Sequence, residues 1–174
     1  NDTPTLVIYR DGVRSRSNIT AVNPYELALF AATDLASLAF WLDTDSGGLQ
    51  RLYAARLNDV AYSERGAIQI SSGAVTRYAA AAMPDNSYWA VWSAPASGES
   101  TLVGSRLDSL GRPRSAQTLR SDSDYPALAV TNNGGALLYW LDGERLNLFG
   151  GEITDSGLTR VGEIPSGSLT RTIT

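Results

Sequence analysis

The sequence predicts an all-β fold made of consecutive β-propeller blades. Three observations predict it. A unit of roughly 50 residues recurs three times, and each unit divides into four short β-rich runs separated by turn residues. No window carries the i, i+3, i+4, i+7 apolar spacing of a helix over ten or more residues, and the Ala-rich run Tyr78 to Met83 is too short for one.

The repeat is anchored on Trp. The first unit opens Tyr25-Glu26-Leu27-Ala28-Leu29-Phe30 and reaches Phe40-Trp41. The second opens at Tyr78 and reaches Val91-Trp92, and the third opens at Tyr125 and reaches Tyr139-Trp140. Trp41 and Trp92 are 51 residues apart, Trp92 and Trp140 48. After each Trp comes a polar turn and a second signature: Ala55-Arg56-Leu57-Asn58-Asp59, Ser105-Arg106-Leu107-Asp108-Ser109, or Glu152-Ile153-Thr154-Asp155.

Taken in order, Thr5 to Arg10, an Asp11-Gly12 turn and Val13 to Val22 match the last two strands of a blade. The first whole unit places strands at about 26 to 31, 35 to 42, 49 to 57 and 66 to 70, with counterparts in the other two. Asp142-Gly143 and Asp155-Ser156-Gly157 are hairpin signals in the third unit. Residues 168–174 read as the first strand of another blade. The chain is thus a single propeller-like domain over 1–174: a partial blade at 1–24, blades at 25–77, 78–124 and 125–167, and a partial strand at 168–174. Four strands every 45 to 50 residues is the size of a blade, whose faces are buried against its neighbours. The first strand lies beside the channel, where the small residues Ala79 to Ala82, Ala127 and Ala129 suit a crowded position.

The Tyr/Pro-apolar strand, the Asn132-Asn133-Gly134-Gly135 turn, the strand ending in Trp140 and the Arg-Leu-Asp strand at Arg106-Leu107-Asp108 resemble blades of bacterial β-propeller repeat proteins. The resemblance covers nearly the whole chain and is architectural. The Trp-Asp blade end of WD40 repeats, the kelch spacing and the sialidase Asp-box are missing. Propellers close with about 4 to 8 blades, so three and a half blades require the remainder of a longer chain, a second copy in a homodimer, or ends that meet in a small ring. The first is the favoured reading. A β-sandwich is the alternative fold, disfavoured by the repeat.

Composition limits the chemistry. The 174 residues contain no His and no Cys, and all 14 basic residues are Arg. Ser-His-Asp triads, Cys nucleophiles, His-ligated zinc and haem are excluded within this chain, as are Schiff-base lysines and P-loop phosphate binding. Carboxylates, Tyr, Ser/Thr and Arg remain. A net charge of −4 argues against a nucleic-acid partner, and no apolar run approaches the ~20 residues of a membrane span. The chain begins at Asn1 without an apolar leader, which reads as a mature product, an isolated domain or a segment of something larger.

Propeller ligands usually sit where the chain enters the inner strands and where the second strand turns into the third. Those loops carry Tyr25, Arg77, Tyr78, Arg120, Asp122, Asp124 and Tyr125, the candidate ligand-binding residues. Trp89 is added as a surface-contact candidate, because the other repeats have no aromatic there. Trp41, Trp92 and Trp140 recur once per blade, as packing between blades requires. Asp43-Thr44-Asp45-Ser46-Gly47-Gly48 resembles the start of a calcium loop, with Asp43 and Asp45 as candidate ligands, but the distal Glu is absent and a plain hairpin turn is the competing reading. No other cofactor is expected. Asn1-Asp2-Thr3 and Asn18-Ile19-Thr20 are formal glycosylation sequons.

With no catalytic residue assigned, the leading expectation is a non-catalytic binding or scaffold module of a secreted, periplasmic or surface protein, contacting another protein or a glycan. The alternatives are a carbohydrate-active hydrolase or lyase, which needs a convergent carboxylate pair, and a structural subunit of an oligomeric assembly.

Overall fold

The computed structural model describes residues 5–10, 13–31, 36–142 and 147–165. The Asp11-Gly12 turn, Gly143, the strand expected over 168–174 and the sequon at Asn1 lie outside the described residues. Within them the fold is all-β, as the repeat requires.

Strands β1 (Thr5–Arg10) and β2 (Val13–Thr20) form an antiparallel pair, the outer half of a blade. Three four-stranded antiparallel sheets follow. Blade 1 holds β3 (Tyr25–Ala31), β4 (Ser37–Thr44), β5 (Gln50–Leu57) and the short β6 (Ile68–Gln69). Blade 2 holds β7 (Arg77–Ala82), β8 (Tyr88–Ala96), β9 (Glu99–Leu107) and β10 (Gln117–Arg120). Blade 3 holds β11 (Ser123–Val130), β12 (Ala136–Asp142), β13 (Leu148–Thr154) and β14 (Gly157–Glu163). Each sheet runs in sequence order, first strand innermost, and β7 meets both β3 and β11.

The core lies between blades. Ile19, Ala39, Trp41, Ala55 and Leu57 join the half blade to blade 1. Leu38, Phe40 and Leu42 of β4 meet Tyr88, Ala90 and Trp92 of β8 in a second layer. Trp89 and Val91 of β8 meet Leu138 and Trp140 of β12 in a third. Trp41, Trp92 and Trp140 therefore all point back at the preceding blade and are buried, the packing role their period predicts.

Two expectations change. Trp89 is 3% exposed, so it is not a surface contact. Strand β8 is covered on both faces, and successive side chains go to opposite neighbours. Crowding along the inner strands holds only for β7, flanked on both sides. Ala127 and Ala129 are exposed, and so is much of β3, because no inner strand lies beyond either among the described residues. The far face of blade 3, with Leu137, Tyr139 and Leu141, is likewise half-buried, although the equivalent Leu38, Phe40 and Leu42 are covered completely.

Candidate functional site

The inner strands of blades 1 to 3 begin at the end of the blades that also carries the β4–β5, β8–β9 and β12–β13 turns. Opposite Leu42, Ser93 and Leu141 of the second strands stand Tyr25, Arg77 and Asp124. These three are equivalent by register, and the three tyrosines of the repeat are not. Strands β3 and β11 each contain a register irregularity just inside this end, with Glu26 (φ 52°) and Tyr125 (φ 57°) in left-handed conformations, whereas β7 pairs regularly. Such irregularities re-aim side chains.

Tyr78 consequently points into the blade 1 interface, where its hydroxyl donates to the carbonyls of Glu26 and of Phe40, the latter at 3.0 Å. Burial, with the Glu26 charge nearby, pushes its phenol far above the ordinary range. Tyr25 and Tyr125 remain 40% and 48% exposed. Burial and Glu26 also raise the phenol of Tyr25.

Arg77, Asp124 and Tyr125 come together. The Arg77 guanidinium donates to Asp124 at 3.2 Å and to the Tyr125 hydroxyl at 3.2 Å, and lies 4.0 Å from the centre of the Tyr125 ring. Asp124 also accepts from the buried Ser93 hydroxyl and from the Tyr125 N–H at 2.7 Å. Asp122 (φ 49°) directly precedes β11. Asp122, Asp124 and Tyr125 border a cleft of about 670 Å³ between the β8–β9 hairpin (Pro95 to Ser100) and the start of β11, closed by Leu141 and Asp142. Four carboxylates line it: Glu99, Asp122, Asp124 and Asp142. The sequence reading missed Glu99 and Asp142 as site residues. Asp142 sits at the Asp142-Gly143 hairpin signal, which marked a turn and nothing more, and Glu99 follows Ser97-Gly98 in the polar turn after Trp92.

Arg120 ends the outer strand β10, is exposed, and does not line the cleft. Asp43 and Asp45 are occupied as hydrogen-bond acceptors. Asp43, 7% exposed, accepts from the N–H groups of Val22 (3.0 Å), Asn23 (2.7 Å) and Thr44 (2.8 Å), tying the chain that enters β3 to the end of β4. Asp45 shapes its hairpin by accepting from Gly47 N–H (2.8 Å), Leu49 N–H (2.9 Å) and Arg51 Nε (2.8 Å). The Arg51 hydrogen bond, helped by these N–H groups, holds the Asp45 carboxyl below its ordinary value. No cluster of three metal-binding side chains occurs among the described residues. The bonds of Asp45 lie within the hairpin turn, and those of Asp43 reach across to the chain entering β3.

No protein-family model and no curated protein sequence matches the chain. Solved structures do. A glycosyl hydrolase from Bacteroides ovatus aligns at TM-score 0.53 and 12% identity, over 83% of this chain and 49% of its own length. An α-L-arabinofuranosidase from Lactobacillus brevis aligns at 0.53 and 12%, over 90% of this chain and 62% of its own. A structure from the GH130 family of mannoside phosphorylases, which contains glycoside hydrolases that target β-1,2 mannosidic linkages in Candida mannan, aligns at 0.51 and 11%, over 85% and 50%. The chain thus spans about half to two thirds of their length, and at these identities the likeness is one of fold. These neighbours are all carbohydrate-active enzymes, which overturns the expectation of a non-catalytic binding or scaffold module.

Proposed function

We propose that this chain is an arc of a larger propeller belonging to a carbohydrate-active enzyme, and that its carboxylate cleft contributes to cleavage of glycosidic bonds. The observation that carries the reading is the convergence of Glu99, Asp122, Asp124 and Asp142 in one concave site beside Arg77 and Tyr125. Glycoside hydrolysis needs two carboxyl groups flanking the scissile bond. One protonates the departing oxygen, and the other activates water or attacks the anomeric carbon.

Asp124, oriented by Arg77 and Ser93, fits the second role. Asp122, beside it at the start of β11, fits the proton donor. The exposed ring of Tyr125 offers a flat surface for a sugar. The kinds of substrate named for the fold neighbours, arabinofuranosides and mannosides, are the first to try.

The test is a rate comparison on whichever oligosaccharide the chain cleaves. Asp122→Asn and Asp124→Asn should each lower the rate by roughly 10²- to 10⁴-fold with circular dichroism unchanged. Asp155→Asn, in the β13–β14 turn at the opposite end, should leave it within about twofold. Full activity in both cleft variants would remove this cleft as the site.

A further inference from the structure

A second concavity, of about 430 Å³, lies at the opposite end of blades 1 and 2, beneath the β5–β6 connection. That connection is held in place. Asn58 Oδ1 accepts from the N–H groups of Val60 (3.1 Å) and Tyr62 (2.9 Å), and Asn58 N–H donates to the Tyr62 carbonyl at 2.9 Å. From β2, the Asn18 amide both donates to and accepts from the Ser63 main chain, at 2.8 Å each way.

The β9–β10 connection of blade 2 repeats the turn and serves as an internal comparison. Asp108 Oδ1 accepts from Leu110 (2.9 Å) and Arg112 (3.0 Å) N–H groups, and Gly111 (φ 77°) stands where blade 1 has Ala61 (φ 65°). The two loops differ at the position after it. Arg112 folds back onto Asp108 at 2.6 Å, so the blade 2 turn satisfies itself. Blade 1 has Tyr62 there, 50% exposed beside Val60 at 59%, and Tyr62 lines the cavity. It also retains Ala61 in a left-handed conformation that glycine adopts more readily.

The cavity is lined by the apolar side chains of Ile68 and Leu110 and by Arg56, Arg65, Asp59 and Glu64. Among the described lining residues, two cations and two anions balance, leaving no excess charge to attract a phosphate or a uronate. A half-exposed tyrosine among donors and acceptors of both signs matches a pyranose, which presents C–H groups on its faces and hydroxyls around its edge. We propose that this cavity is a second carbohydrate site, binding one sugar unit of a neutral glycan by stacking on Tyr62, at the opposite end of the blades from the carboxylate cleft. It goes beyond the cleavage reading and stands whether or not the cleft is catalytic.

The experiment is an amide NMR titration of the ¹⁵N-labelled full chain with xylobiose and, separately, mannobiose. The proposal expects saturable shifts at residues 58–66 with at least one sugar, at a dissociation constant of about 1 to 10 mM. They should vanish in Tyr62→Ala, persist in Tyr62→Phe, and persist in Asp124→Asn, which separates this site from the cleft. Absence of saturable shifts at 58–66 up to about 50 mM of either sugar would overturn it, as would identical shifts in Tyr62→Ala.

Discussion

Tyr25, Tyr78 and Tyr125 stand at the same place in the written repeat, yet Tyr78 is half-buried between blades and the other two are open to solvent. The difference lies in the left-handed residues Glu26 and Tyr125. A sequence alignment cannot show them, because neither position is glycine. Charge is more readable at this scale. With no His or Cys, no side chain in the set has an ordinary pKa near neutrality. Three carboxyls are held below their ordinary value. At Asp45 the cause is the Arg51 hydrogen bond, and at Asp85 the Ser87 hydroxyl with Arg106 in support. At Asp108 burial opposes ionisation, but the hydrogen bonds from Arg112 and Leu110 outweigh it. Each binds its proton more weakly folded than unfolded. Its contribution is therefore complete above the ordinary value of 3.8 and is lost as pH falls through the lower folded value. Thermal unfolding should be flat from about pH 5 to 8 and fall below about pH 4. A midpoint that moves between pH 6 and 7 would contradict this.

Strand β8 shows what periodicity conveys and what it hides. Its place in the repeat and its Trp92 landmark were legible, and so were the hairpins at Asp155-Ser156-Gly157 and Asp45 to Gly48, whereas its extension to Ala96 was not. The side taken by Trp89 was not. A strand covered on both faces reads as one continuous apolar run, so nothing distinguishes its two faces in sequence. The blade-specific Trp joins Met83, Val91 and Leu102 of blade 2 in the layer shared with Leu138 and Trp140 of blade 3. Trp89→Ala should cost about 3 to 5 kcal/mol in denaturant unfolding, the range for a buried aromatic. A cost under about 0.5 kcal/mol would return it to the surface.

Across the whole molecule, three units with one period disclosed the blades and their order. They did not disclose the cleft. Arg77 meets Asp124 across 47 positions, and Glu99 and Asp142 join them from two different hairpins. Only the stacking of blade 2 against blade 3 brings these carboxylates into one concavity, and in sequence each is a polar turn residue. The same stacking separates the cleft from the Tyr62 cavity at the other end of the blades. The central claim is that the cleft serves the cleavage of glycosidic bonds. Its most direct test is to incubate the purified chain with neutral arabino-, xylo- and manno-oligosaccharides and separate the products by anion-exchange chromatography. The account predicts shorter oligosaccharides with new reducing ends from at least one of them, absent with the Asp122→Asn/Asp124→Asn double variant. Intact substrates throughout, or equal cleavage by the double variant, would contradict it.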